Sequence, residues 1–220
     1  MGRIGLSIGG MVCALAWAGM GTAARASEDA LISLQPGRLY LAAGTIETAS
    51  QPNLLDEATG SFSEPFGHVI QLEGPMTERR DARLMAAGVV LHDYLPVHAY
   101  LADLSRTDVK RLRALGCVTW VGRWQDGWML DPTIGARVEP FTTQERIDLE
   151  SRGFVQLAVT LFHGADLAQG MNDLAALGAD VLDGNIVARQ GLIDLIFPHS
   201  QLALLAAEPY VQCIEEVGEL

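Results

Sequence analysis

The sequence predicts an α+β protein made of two copies of one β-α-β-β-α-β unit, and three observations carry that prediction. Short apolar runs alternate with stretches of helical periodicity in the same order twice. Glycines recur where three of the four helices should stop, and Pro209 follows the fourth. The two halves also align residue by residue: Leu84-Met-Ala-Ala-Gly88 matches Leu174-Ala-Ala-Leu-Gly178, while Leu112 matches Leu205 and Val118 matches Val211 at a slightly larger offset. The extra residues of the second copy fall in its central hairpin, where insertions are best tolerated.

The elements follow in order. Val69–Leu72 is the first strand, closed by Gly74-Pro75. Thr77 is positioned to cap a helix that carries Leu84 and Met85 inward and ends at Gly88. Val89–Leu91 and Ala99–Leu104 are strands around a turn at Tyr94–His98. Ser105, with Asp108 three residues on, predicts the cap of a second helix that buries Val109, Leu112 and Leu115 and stops at Gly116. Cys117–Val121 is the fourth strand. In the second copy the strands are Leu157–Phe162, Ala179–Leu182, Leu192–Phe197 and Tyr210–Ile214. Its helices are one capped by Asp166 and ending at Gly178, with Leu167, Met171, Leu174 and Leu177 on one face, and one from Pro198 to Ala207. Each unit therefore reads as ferredoxin-like, a four-stranded antiparallel sheet with both helices on one face and the other face available.

The expected organisation is a signal peptide at 1–26, an N-terminal arm and linker at 27–67, the first unit at 68–122, a linker at 123–153 and the second unit at 154–220. Arg3 followed by an apolar run and the Ala24-Arg-Ala26 box has the form of a cleaved secretory signal. Export, to a periplasm or the extracellular space, is the expectation, with no stable membrane anchor after cleavage. Gly37–Ala43 predicts a short strand within an arm that is otherwise turn-rich.

Composition restricts the function. The formal net charge is −12 and Lys110 is the single lysine. Removing 1–26 takes away Arg3 and Arg25 and no acid, so the remainder is more negative still. Such a chain lacks the clustered cations that track nucleic-acid phosphates. No Gly-x-Ser-x-Gly, His-Glu-x-x-His or glycine-rich phosphate loop occurs, and no cofactor is expected. His92, Asp93 and His98 flank one hairpin and are the candidate metal ligands, against an ordinary polar turn. His163 reads as a loop residue, and Glu215 and Glu216 as neighbours pointing to opposite sheet faces. Trp120, Trp124 and Trp128 recur every four residues, but Gly122, Gly127 and Pro132 favour an extended linker packed on the first unit over an aromatic ligand platform. Cys117 and Cys213 read as two separate buried thiols, although export would permit a bridge.

Particular stretches resemble the N-terminal region of large exported subtilisin-like serine peptidases: Gln71-Leu-Glu-Gly-Pro75, Gly88, Asp93-Tyr-Leu-Pro96, Ala99-Tyr-Leu101, Val118-Thr-Trp-Val-Gly122 and Leu130-Asp-Pro132. The second copy, from Val159-Thr-Leu-Phe162 to Val211-Gln-Cys-Ile-Glu-Glu216, resembles the unit that precedes their catalytic domain. The likeness runs over most of residues 38–217. The linker departs from the family pattern at Asp126, Gly127 and Met129, where Pro, a small residue and a basic residue are usual. The Asp-Ser/Thr-Gly, His-Gly-Thr-His and Gly-Thr-Ser motifs of the catalytic domain do not occur in these 220 residues. The resemblance thus implies a non-catalytic, propeptide-like protein that binds, inhibits or helps fold a subtilisin-like serine peptidase. On that model Val217, Gly218, Glu219 and Leu220 form a tail entering the substrate cleft, with Leu220 in the primary specificity pocket and Val217 in a further apolar pocket. The alternatives are a remnant of such a peptidase with no activity of its own, or a small-ligand or metal-binding module built on the hairpin histidines.

Overall fold

The computed structural model describes residues 35–56, 62, 66–136 and 142–217. The fold is α+β, with two four-stranded antiparallel sheets, a two-stranded hairpin and several helices. The hairpin is β1 (Arg38–Leu41) with β2 (Gly44–Glu47). The first large sheet is built from β3 (His68–Leu72), β4 (Val90–Leu95), β5 (Ala99–Asp103) and β6 (Val118–Arg123), in the order β4-β5-β3-β6. The second is built from β7 (Phe154–Leu161), β8 (Asp180–Val187), β9 (Gln190–Pro198) and β10 (Val211–Glu216), in the order β10-β7-β9-β8. In each sheet the first and third strands of the set are central and paired, and the second and fourth are edges.

The helices are α1 (Glu78–Ala86), α2 (Val109–Leu115), α3 (Asp126–Met129), α4 (Gln144–Ser151), α5 (Leu167–Ala176) and α6 (Leu202–Ala206). The caps explain their starts. Thr77 Oγ1 accepts from the Arg80 backbone N–H at 3.2 Å and Asp166 Oδ1 from that of Gln169 at 3.0 Å, each satisfying a donor that the first helical turn leaves open. Asp108 caps α2, its Oδ1 accepting from the Arg111 backbone N–H at 2.6 Å. This corrects the expected Ser105 cap: Ser105 stands in the turn before, held by Asp103 Oδ1, which accepts from its N–H at 2.8 Å. The helix consequently starts at Val109 and ends on Gly116, whose φ of 66° suits a residue without Cβ.

Alternation places the cores. Ile70 and Leu72 of β3 pack against Leu84 of α1 and Val109 and Leu112 of α2. Val155, Leu157, Val159 and Leu161 of β7 pack against Leu174 of α5 and Leu205 of α6. Met85, expected inward, is 66% exposed. At the C-terminal end of α1 its side chain points away from Leu84, and only Leu84 reaches the sheet.

The segment before β3 is more than an arm. Leu54, Leu55 and Phe62 join the first core, and Leu39 is fully buried on the opposite face of the first sheet, against Val69, Leu95, Leu101 and Trp120. The hairpin is clamped there by Gln71. The Gln71 amide nitrogen donates to the Arg38 carbonyl at 3.0 Å, and its oxygen accepts from the Thr48 hydroxyl at 3.1 Å. The first sheet's helix-free face is therefore occupied by the chain itself, which corrects the expectation that both units leave that face available. Trp120 lies on this face with its ring over Gly122; a Cβ there would stand 2.1 Å from ring atoms.

The linker after β6 is also structured. α3 and α4 occupy a stretch expected to be a linker, and Thr143 opens α4 as its cap, its Oγ1 accepting from the Arg146 backbone N–H at 3.3 Å. Trp124 and Trp128 meet edge to face at 5.6 Å. The linker packs on both sheets: Trp128 joins the first, Met129 is buried in the core of the second, and Trp124 touches both clusters.

Candidate functional site

Two irregular strands face each other where the sheets meet. The β4–β5 register slips by one residue between Leu91 and Tyr94, and the β10–β7 register slips between Val211 and Cys213. A bulge inserts one residue into one strand and re-aims the side chains beside it. Here the bulges turn His92 and Asp93 out of the first sheet and Gln212 out of the second, so that they meet.

Asp93 is the centre of the junction. Its Oδ2 accepts from Gln190 Nε2 at 3.2 Å and from Gln212 Nε2 at 3.1 Å. Gln190 Nε2 also donates to Gln212 Oε1 at 2.7 Å. Asp93 Oδ1 lies 3.7 Å from His163 Nε2, a distance for an ion pair when the imidazole is protonated rather than for a direct hydrogen bond. The His163 ring stacks on His92 with centroids 4.6 Å apart and planes 6° from parallel. Aromatic residues flank this network: Phe66 stacks on Phe162 at 6.2 Å, and Trp124 donates a hydrogen bond from Nε1 to the Gln212 carbonyl at 2.9 Å.

Burial sets the electrostatics. It lowers the His92 pKa, with His163 adding to the effect and Asp103 and Asp93 opposing it. Nearby His68 is 2% exposed, and burial, reinforced by Arg123 and opposed by Asp103, brings its pKa down to about 4. These imidazoles are held neutral, while the Asp93 carboxylate is held by two amide donors. Chemically the arrangement is a fixing point between sheets, a charged acceptor satisfied from two strands of the other unit.

The expected metal ligands separate. Asp93 and His92 are engaged with the second unit, while His98 sits in the β4–β5 turn, where it and Val97 have φ of 61° and 64° and its carbonyl accepts from the Leu72 N–H at 2.9 Å. Among the described residues, no three His, Cys, Asp or Glu side chains converge as a metal site. His163, read as a loop residue, belongs to the junction. Its role was invisible in the sequence because its partner Asp93 is far away in the chain. Cys117 is a free, buried thiol, so no bridge ties it to Cys213.

The C-terminal strand forms a second place of interest. β10 is an edge strand, and its pairing with β7 continues through Val217, whose N–H donates to the Gln156 carbonyl at 3.1 Å. Val217 also lines a groove of about 510 Å³ with Arg146, Leu149, Phe154, Ile196 and Glu216. Arg146 fixes one wall, pairing with Glu150 and with Glu216 at 2.8 Å each. Glu216 Oε2 accepts from the Gly135 N–H at 2.7 Å. Burial raises the pKa of its neighbour Glu215, with Asp131 adding to the shift. The remaining candidate tail residues, Gly218, Glu219 and Leu220, lie outside the described residues.

Residues 40–125 match a family model described as a domain of unknown function (DUF8729). The match runs from β1 to just beyond β6, so it takes in the hairpin together with the first sheet and leaves out the second. No curated protein matches the chain, and no solved structure matches it.

Proposed function

We propose that this is an exported, non-catalytic binding protein, made of two ferredoxin-like units, that engages a subtilisin-like serine peptidase as an inhibitor or folding aid in the manner of a propeptide. The strand orders β4-β5-β3-β6 and β10-β7-β9-β8 support the ferredoxin-like reading of each unit. The signal-like start of the sequence supports export. The observation that carries the functional reading is the second sheet. Its helices α5 and α6 pack into one face. The other face carries half-exposed side chains, and β10 leaves along an edge of the sheet toward Val217–Leu220. A sheet face with a strand leaving beside it is the shape by which a propeptide-like unit would lie on a peptidase while its tail enters the cleft. The Asp93 junction then holds the second unit at a set angle to the first.

The test is inhibition of a subtilisin-like peptidase by the chain with and without Val217–Leu220. The expected result is inhibition by the intact chain and a loss of at least tenfold in potency on deletion, the scale on which losing one or two seated side chains acts. Equal inhibition by both forms would remove the tail from the mechanism, and no binding by either would remove the peptidase.

A further inference from the structure

The two sheets share a strand order but differ in what lies on their helix-free faces. On the first, Val69, Gln71, Ala99, Leu101 and Trp120 are all buried, under Leu39 and Ile46 of the hairpin and the linker tryptophans. On the second, register puts Gln156, Ala158 and Thr160 of β7 beside Leu192, Asp194 and Ile196 of β9, and all six are partly exposed. At the β8 side Leu182 is 49% exposed, and Phe154 at the start of β7 is 38% exposed. The molecule thus shows on one sheet how such a face is covered, and presents on the other the same kind of face partly exposed, with Arg146 and Leu149 of α4 and the following Arg152 walling a groove at its Phe154, Gln156 and Ile196 end.

Charge says what kind of cover fits. The four strands of the second sheet carry Asp180, Asp183, Asp194, Glu215 and Glu216, and no Lys, Arg or His. Asp183 and Asp194 are directly opposite each other in register, a like-charge arrangement that is unfavourable unless a cation stands near it. Burial and Asp183 together hold the Asp194 carboxyl above the usual carboxylate range. A second copy of this chain laid face to face would oppose carboxylate to carboxylate, so self-association by this face is disfavoured.

We propose that the face of the second sheet opposite α5 and α6 is a docking surface for a cationic, apolar protein element, with arginine or lysine over Asp183 and Asp194 and apolar side chains over Leu192 and in the groove beside Phe154 and Ile196. This rests on the reading of the chain as a binding protein and adds the chemistry of the partner surface. The paired carboxylates give orientation and salt-dependent association, and the apolar residues give the buried area.

The test uses the full chain and, as probe, a labelled peptide alternating arginine and leucine, with a glutamate-for-arginine version as control. Binding is read by fluorescence anisotropy at two salt concentrations. The arginine peptide is expected to bind, to weaken with salt, and to lose about tenfold in affinity to a D183N/D194N variant, the scale of removing two interfacial carboxylates. An E78Q/D81N variant, with the same change in charge on α1, is expected to bind as the parent does. Equal loss in the two double variants would mean attraction to net charge alone and would overturn the proposal. So would equal binding of the glutamate peptide, or a dimer that buries this face. The peptidase assay separates the two ideas. Inhibition that is indifferent to D183N/D194N overturns the surface and leaves the peptidase reading standing. Peptide capture at this face without peptidase binding does the reverse.

Discussion

At the scale of single residues, the consequential groups are polar side chains placed where water is absent. Gln71 is 2% exposed and would be costly unpaired, yet its amide is engaged from both sides, so it orders the hairpin on the first sheet. His68 is the contrasting case, since its Nδ1 is buried without a hydrogen-bond partner. Its pKa near 4 lies below the ordinary 6.5, so between those values the unfolded chain binds a proton that the folded chain refuses. The stability this residue confers is full above pH 6.5 and is lost as pH falls toward 4, by up to about 3 kcal/mol. His92 acts in the same direction, whereas the raised Asp194 and Glu215 carboxyls favour the folded state as pH falls. The urea midpoint should therefore drop between pH 7 and pH 4.5, and His68→Gln should flatten that drop; an unchanged slope would put the titration elsewhere. His68 was legible in the sequence only as the residue before a strand, because its desolvation depends on neighbours brought in from other elements.

At the scale of elements, local signals were read well where the chemistry is local. Thr77 and Asp166 cap the helices they were expected to cap, and Gly88, Gly116 and Gly178 all sit at positive φ just past helix ends. The start of α2 is set by more than local chemistry. Ser105 and Asp108 are both competent caps, and the choice between them depends on where Val109 and Leu112 must reach the core. Asp108→Ala should cost about 1 kcal/mol in chemical denaturation, as loss of a cap does, while Ser105→Ala should stay within about 0.5 kcal/mol. The reverse order would restore the earlier start of the helix. α4 was missed because its periodicity is weak and none of its residues is buried; it is held instead by Arg146, through Glu150 and Glu216. The bulges in β4 and β10 left no mark in the sequence either, since one extra residue in a short apolar run cannot be told from a shift in register.

At the scale of the whole molecule, the junction around Asp93 decides whether the two sheets act as one body. Asp93→Ala removes the acceptor shared by Gln190 and Gln212 and leaves the half-buried Gln190 amide and the buried Gln212 amide short of a partner, at a cost of about 1–3 kcal/mol. Calorimetry of that variant should show the single unfolding transition broaden or split, with the second sheet retaining its own core; one sharp transition shifted as a whole would mean that the linker packing alone couples the units. The repeat of β-α-β-β-α-β order, the apolar faces of the strands and most helix ends follow from the sequence by itself, because periodicity and capping act over a few residues. The tertiary structure alone decided that the hairpin before β3 covers one sheet and that the matching face of the other is left partly exposed beside α4. It likewise decided that His163 stands beside Asp93. The reason is the same in each case: these outcomes depend on contacts between residues dozens of positions apart, whose side chains meet only after two bulges and a linker have set the angle between the sheets.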